Sequence, residues 1–200
     1  MSSHLDRASE PQGADGLPDV DLVTQVLAGR TELYRALVKR YQTRVFNFLV
    51  RLLHQRELAE DVAQEAFYNA YARLDTCRDP ALFYVWLMRI ARNLAFNVLR
   101  KGKVDVVPLT PASGETIEVA DERTLGEGSA EGQLEQREVA KELERRVMGL
   151  PPKYRSAVLL RHTEGRSYQE IAEILEVPIG TVKFRLHRAY RLLKERLGKR

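Results

Sequence analysis

Thr181, Lys183, Phe184, Arg185, His187 and Arg188 bring cations, hydrogen-bond donors and one aromatic ring into a single short stretch near the C-terminus. That mixture suits nucleic acid. Ammonium and guanidinium groups meet phosphates, and an Arg held bidentately on guanine contributes roughly 1–3 kcal/mol of base discrimination. A second set, Arg89, Arg92, Asn93, Phe96, Asn97 and Arg100, recurs at spacings that share one side of a helix. Cations for phosphates, amides for base edges and a ring for stacking would serve a single strand. Taken alone, such a face also describes an ordinary solvated helix. Catalytic patterns are missing from the sequence. His4, His54, His162 and His187 are scattered, Cys77 is the single cysteine, and there is no phosphate loop or zinc spacing. The chain is therefore expected not to be an enzyme, with no metal and no cofactor.

The C-terminal set needs a rigid carrier. Ser167 to Arg188 reads as two short helices and a turn, with the second helix basic. Ile171 and Leu175 share a face, as do Val182 and Leu186, so the two helices can close a small core only by crossing. Ser167 and Glu170 fit a capping box, Ala172 is small at the crossing, Val177 fills the turn, and Pro178 sets the entry to the second helix. This is a helix-turn-helix, whose second helix fits a major groove. Glu176 stands where such turns often place glycine. A left-handed backbone there costs a non-glycine residue about 1–2 kcal/mol, so either the turn takes another shape or the strain is carried.

The other set needs the helix striped by Phe83, Leu87, Ile90, Leu94 and Val98, entered through Asp79 as cap and Pro80 as first residue. Leu33, Leu37, Tyr41, Val45, Phe48 and Leu52 mark one helix before it, and Leu58, Val62, Ala66, Ala70 and Leu74 another. A shorter helix is expected from Val20 to Gly29. Val139, Leu143 and Val147, then Tyr154, Val158 and Arg161, mark two more beyond the middle of the chain. No β-alternation stands out.

The expected fold is all-α: two small helical domains, an N-terminal bundle and a C-terminal helix-turn-helix unit, joined by a flexible linker. The boundaries are a disordered tail over 1–19, a bundle over 20–102, an acidic linker over 103–131 and the C-terminal unit over 132–200. The linker is rich in Pro, Gly, Asp and Glu, and a structureless loop of that length does not belong inside a compact domain. The C-terminal unit offers a modest core and is marginal alone.

Of 200 residues, 44% are hydrophobic and 30% charged, with a formal net charge of only +4, so the chain is no bulk polycation. Charge is segregated instead: basic at the C-terminus, acidic in the middle. That arrangement suggests nucleic-acid contact at one place and a solvated spacer at another. No apolar run approaches a membrane span, and the N-terminus lacks a signal-peptide pattern. With one cysteine, a reducing cytoplasm is the expected location.

The segments Asp61 to Phe67 and Phe83 to Asn93 resemble bacterial RNA polymerase sigma factors of the two-domain extracytoplasmic-function group. Leu150 to Arg155, Tyr168 to Ala172 and Pro178 to Lys183 resemble that group's second conserved domain, in the same order along the chain. The resemblance implies a sigma factor that binds core RNA polymerase through its β′ and β subunits and directs promoter recognition and melting. By this likeness Asp61, Gln64, Glu65 and Phe67 belong to the segment that grips the β′ clamp. The loop carrying Asp75, Cys77, Arg78 and Asp79, with the Arg89–Arg100 face, matches the part that melts and captures the minus-ten element. Thr181, Lys183, Phe184, Arg185, His187 and Arg188 match the reader of the minus-thirty-five element. Phe184 departs from the small polar residue many relatives carry. Trp86 is expected in the core, and Cys77 as a passive small residue. An anti-sigma factor closing the two modules together is also implied. The alternative is a helix-turn-helix regulator that acts without core polymerase.

Opening a duplex must offset stacking of about 1.4 kcal/mol per step by binding what is exposed. The modules must also reach together. About 30 linker residues span at most roughly 100 Å extended but average about 30 Å as a coil, whereas two turns of DNA cover roughly 70 Å. The linker must therefore be held extended, and joining the modules raises their effective concentration on one promoter.

Overall fold

A computed structural model describes residues 16–102 and 140–197, with side chains to residue 195. The tail to residue 15, the linker, and Leu134 and Val139 of the helix expected after it lie outside the described residues. Among the described residues there is no strand.

The first module holds α1 (Asp19–Leu27), α2 (Tyr34–Leu53), α3 (Arg56–Ala72) and α4 (Phe83–Arg100). Each forms where the apolar period demanded. Leu37, Val45, Phe48 and Leu52 of α2 meet Val62, Ala66 and Ala70 of α3 and Phe83 and Leu87 of α4, all of them buried. The helices stop for identifiable reasons. Gly29 and Gly102 sit at φ 102° and 65°, conformations that favour glycine. Asp79 Oδ1 accepts from the Ala81 N–H at 3.0 Å, starting a tight turn over Pro80–Leu82 that feeds α4. Trp86 is partly buried against the core, its ring 6.0 Å from that of Phe83, as expected.

The second module holds α5 (residues 140–148), α6 (Pro152–Val158), α7 (Tyr168–Leu175) and α8 (Ile179–Leu197). A wide turn of helix over Leu159–Thr163 extends α6, and Gly165 then reverses the chain at φ 65°. The capping box forms with both bonds: Ser167 Oγ accepts from the Glu170 N–H at 3.2 Å, and Glu170 Oε2 from the Ser167 N–H at 2.7 Å. Ile171, Ile174, Leu175, Val182, Leu186 and Ala189 close the crossing of α7 and α8. At the turn, Glu176 does adopt the left-handed conformation, φ 51° and ψ 48°, so the strain is carried.

Two expected stripes need correction. Leu143 is 54% exposed, because α5 lies against α2 through Glu144, whose Oε1 meets Arg51 Nε at 3.2 Å. Arg161 is exposed and stacks over the Tyr168 ring at 5.2 Å instead of joining the side of α6.

The small second module completes its burial on the first. α6 meets α2, and α7 lies along α4. This covers a second side of α4, where Tyr84, Met88, Ala91 and Ala95 are buried beside the expected stripe.

Candidate nucleic-acid interface

On α3, Asp61, Gln64 and Glu65 are exposed and share one side with Tyr68, which is 71% exposed. Phe67 lies on the opposite side. It is only 8% exposed, and its carbonyl accepts from the Tyr34 hydroxyl at 2.8 Å. Phe67, expected as a contact residue, anchors α3 to α2 in this structure. The α-helical period decides this, since 67 falls with 63, 66 and 70.

Asp75, Arg78 and Asp79 are exposed in the loop between α3 and α4. Cys77 is not: it is 6% exposed, and its thiol donates to the Asp79 carbonyl at 3.6 Å. Burial, with the Asp79 carboxylate next, pushes that thiol above its ordinary range. As folded, Cys77 is tied into the loop by its bond to the Asp79 carbonyl.

The α4 face is assembled but covered. Arg92 lays its guanidinium over the Phe96 ring at 4.2 Å and donates through Nη1 to Asn93 Oδ1 at 2.7 Å. The ring expected as an open stacking surface is thus occupied by its own helix. Asn93 Nδ2 donates to Glu176 Oε2 of the helix-turn-helix at 2.8 Å. Burial and then Arg185 of α8 pull Arg92 below its usual range, while Glu176 acts the other way. Arg89 is half-buried, and Asn97 and Arg100 are exposed, with Arg100 donating to Asn97 Oδ1 at 3.2 Å.

On α8 the expected readers divide. Lys183, Phe184 and His187 are exposed, whereas Thr181, Arg185 and Arg188 are half-buried. Nη1 of Arg185 is buried without a hydrogen-bond partner, and burial lowers its guanidinium. Between the 75–79 loop, α4 and α7 runs a cleft of about 1120 Å³, lined among others by Arg78, Trp86, Arg89, Ala172 and Glu176. The 75–79 loop and Arg89 thus face the turn of the helix-turn-helix across this cleft, and Asn93 touches Glu176 of that turn.

Polar contacts hidden from sequence reading hold this closure. Glu164, 6% exposed, accepts from Arg44 Nη2 at 3.0 Å and from the Tyr84 hydroxyl in a very short bond. Arg44 and Arg166 stack over the Tyr84 ring at 4.4 and 4.9 Å. Burial and then the Glu164 charge push the Tyr84 phenol far above its ordinary range. Arg155, 5% exposed, donates to the Leu150 carbonyl at 2.9 Å and, through Nη1, to the Leu52 carbonyl at 2.8 Å, at the C-terminal end of α2. The His54 ring nitrogen meets the same guanidinium. Burial lowers Arg155 to about 10, and burial with the Arg155 charge lowers His54 to about 4. The one available signal was Arg155 itself, a cation three residues beyond the Pro151-Pro152 start of a short helix.

Comparison with known proteins agrees with this architecture. The family described as Sigma-70 region 2 matches residues 37–104, and Sigma-70, region 4, matches residues 140–193. The chain is 36% identical over 173 residues to the RNA polymerase sigma-H factor of Pseudomonas aeruginosa, covering 86% of this chain and 89% of that one. It is 32% identical over 176 residues to the ECF RNA polymerase sigma factor SigW of Bacillus subtilis, covering 88% and 94%. Its fold resembles the sigma factor RpoE solved with the anti-sigma factor NepR from Bartonella quintana, with a TM-score of 0.58 at 22% identity, covering 84% and 98%. Two sigma-70 modules in order, carried by a chain that matches such relatives over nearly their whole length, make this protein an RNA polymerase sigma factor of the extracytoplasmic-function group.

Proposed function

We propose that this sigma factor joins core RNA polymerase through the exposed side of α3 and gives it promoter choice through two DNA grips. Asp61, Gln64 and Glu65 supply the polar contacts to the β′ clamp. The 75–79 loop and the Arg89, Arg92, Asn93, Asn97 and Arg100 face hold the melted minus-ten strand, with Phe96 available to a base once Arg92 swings to a phosphate. The N-terminal part of α8 enters the major groove at the minus-thirty-five element. Nucleotide chemistry belongs to the core enzyme.

The observation that carries this reading is that the 75–79 loop and the α4 face lie against the turn of the helix-turn-helix, with Asn93 bonded to Glu176 and Arg185 close enough to Arg92 to disfavour its charge. Closed, the chain offers Asn93 a carboxylate where the open form would offer a base edge. Binding of both elements requires the modules to separate. The resting form is thus closed, and polymerase, or the release of an anti-sigma partner, favours the open one. The alternative of a regulator independent of polymerase leaves the exposed α3 side without a role.

Run-off transcription with core polymerase tests the proposal. Added protein is expected to start transcripts from its own promoters. Arg188→Ala is expected to lower promoter-specific output while core association persists. Duplex binding by the protein alone, with no transcript at any promoter, would favour the independent regulator instead.

A further inference from the structure

Phe184 has no task in the fold. The apolar needs of α8 are met by Val182, Leu186 and Ala189, at 0%, 2% and 0% exposure, while Phe184 stands 61% exposed on the opposite side. It lies within the first two turns of α8, between exposed Lys183 and, one turn on, exposed His187. Leaving such a ring in water forfeits the burial it could have had, and among the described residues no aromatic ring pairs with it.

The chemistry of the ring limits what it can recognise. Phenylalanine has no donor or acceptor, so it cannot satisfy the polar edges that guanine, adenine and cytosine present in the major groove. The thymine C5-methyl is the apolar group displayed there. Placing a ring against a polar edge would strip that edge of water without replacement, which is unfavourable. Lys183 beside it offers a phosphate-seeking ammonium, and His187 a donor one helical turn along.

We infer that Phe184 is a specificity-determining contact to a thymine methyl in the upstream promoter element, flanked by a phosphate held by Lys183 and a polar base edge or phosphate met by His187. The inference rests on the proposed entry of α8 into the major groove. It adds a base identity at one position, set by an aromatic ring.

The test uses holoenzyme reconstituted from the full chain and core polymerase. Upstream elements are selected from randomised duplexes, and each thymine of the selected element is then replaced singly by deoxyuridine, which removes the methyl alone. One replacement is expected to weaken binding about fourfold, the equivalent of one apolar carbon returned to water. Phe184→Ala is expected to bind both duplexes equally, and Phe184→Leu to keep part of the discrimination, while both variants associate with core normally. The inference is overturned if the selected element lacks thymine, if no replacement matters, or if Phe184→Ala retains the full difference. Loss of core association in Phe184→Ala without a methyl effect would make the ring a protein contact and also overturn it. Failure to enrich any upstream sequence would instead sink the groove placement of α8.

Discussion

Glu176 does two separable things, and replacing it with glycine should separate them. Its left-handed backbone, φ 51°, costs about 1–2 kcal/mol whether the modules are open or closed. Its carboxylate accepts from Asn93 at 2.8 Å only when they are closed. Glycine removes the strain but adds about 0.4–1 kcal/mol of chain entropy to the unfolded state. Measured from the open form, the net effect on unfolding is a gain of up to about 1.5 kcal/mol, and measured from the closed form the lost Asn93 bond takes back about 1 kcal/mol of it. Closure responds in the other direction. An exposed hydrogen bond of this kind contributes about 1 kcal/mol, so its loss raises the open-to-closed ratio about fivefold. Asn93→Ala should reproduce the shift in closure without the gain in stability. The two substitutions together should open the chain no further than either alone, because they remove one shared bond. Single-molecule energy transfer between dyes at Ala72 and Lys194, in a Cys77→Ser background, reads closure, and thermal unfolding reads stability. If Glu176→Gly raised stability while both variants left the energy-transfer distribution unchanged, the carboxylate would be a bystander and the closed-state reasoning would be refuted.

Arg155→Lys is expected to lower stability by about 2–3 kcal/mol in urea unfolding, since one ammonium cannot fork between the Leu150 and Leu52 carbonyls; an unchanged midpoint would reject that role. His54, lowered to about 4, prefers its neutral form when folded, so its contribution is complete above the ordinary value of 6.5 and is lost as pH falls towards 4. His54→Asn, which also tolerates the left-handed backbone, should flatten the stability slope between pH 6.5 and 5, and an identical slope would assign the titration elsewhere. Asp61→Arg is expected to weaken association with core polymerase at least about tenfold by placing a cation in the proposed contact; undiminished co-purification would reject the α3 assignment.

The sequence by itself determined the helices and their local chemistry. Leu37, Val45, Phe48 and Leu52 recur at the helical period, and burial follows that period because each helix must hide one stripe. The Ser167–Glu170 capping box and the turn at Glu176 were legible because caps and turns involve neighbours a few residues apart. So was the membership of Lys183, His187 and Asn93 in polar faces. Tertiary structure decided which faces remain open. Glu164 takes its partners from Tyr84 and Arg44, 80 and 120 residues away, and Arg155 reaches a carbonyl 103 residues away. A single polar atom meeting another across such distances leaves no periodic trace. The same limit hid the exposure of Leu143, whereas the covering of Phe96 by Arg92 and the contact of Cys77 with Asp79 are local and turn on side-chain conformation. Local sequence dictates which side of a helix is apolar, whereas the docking of one module on another dictates which polar side chains still meet solvent.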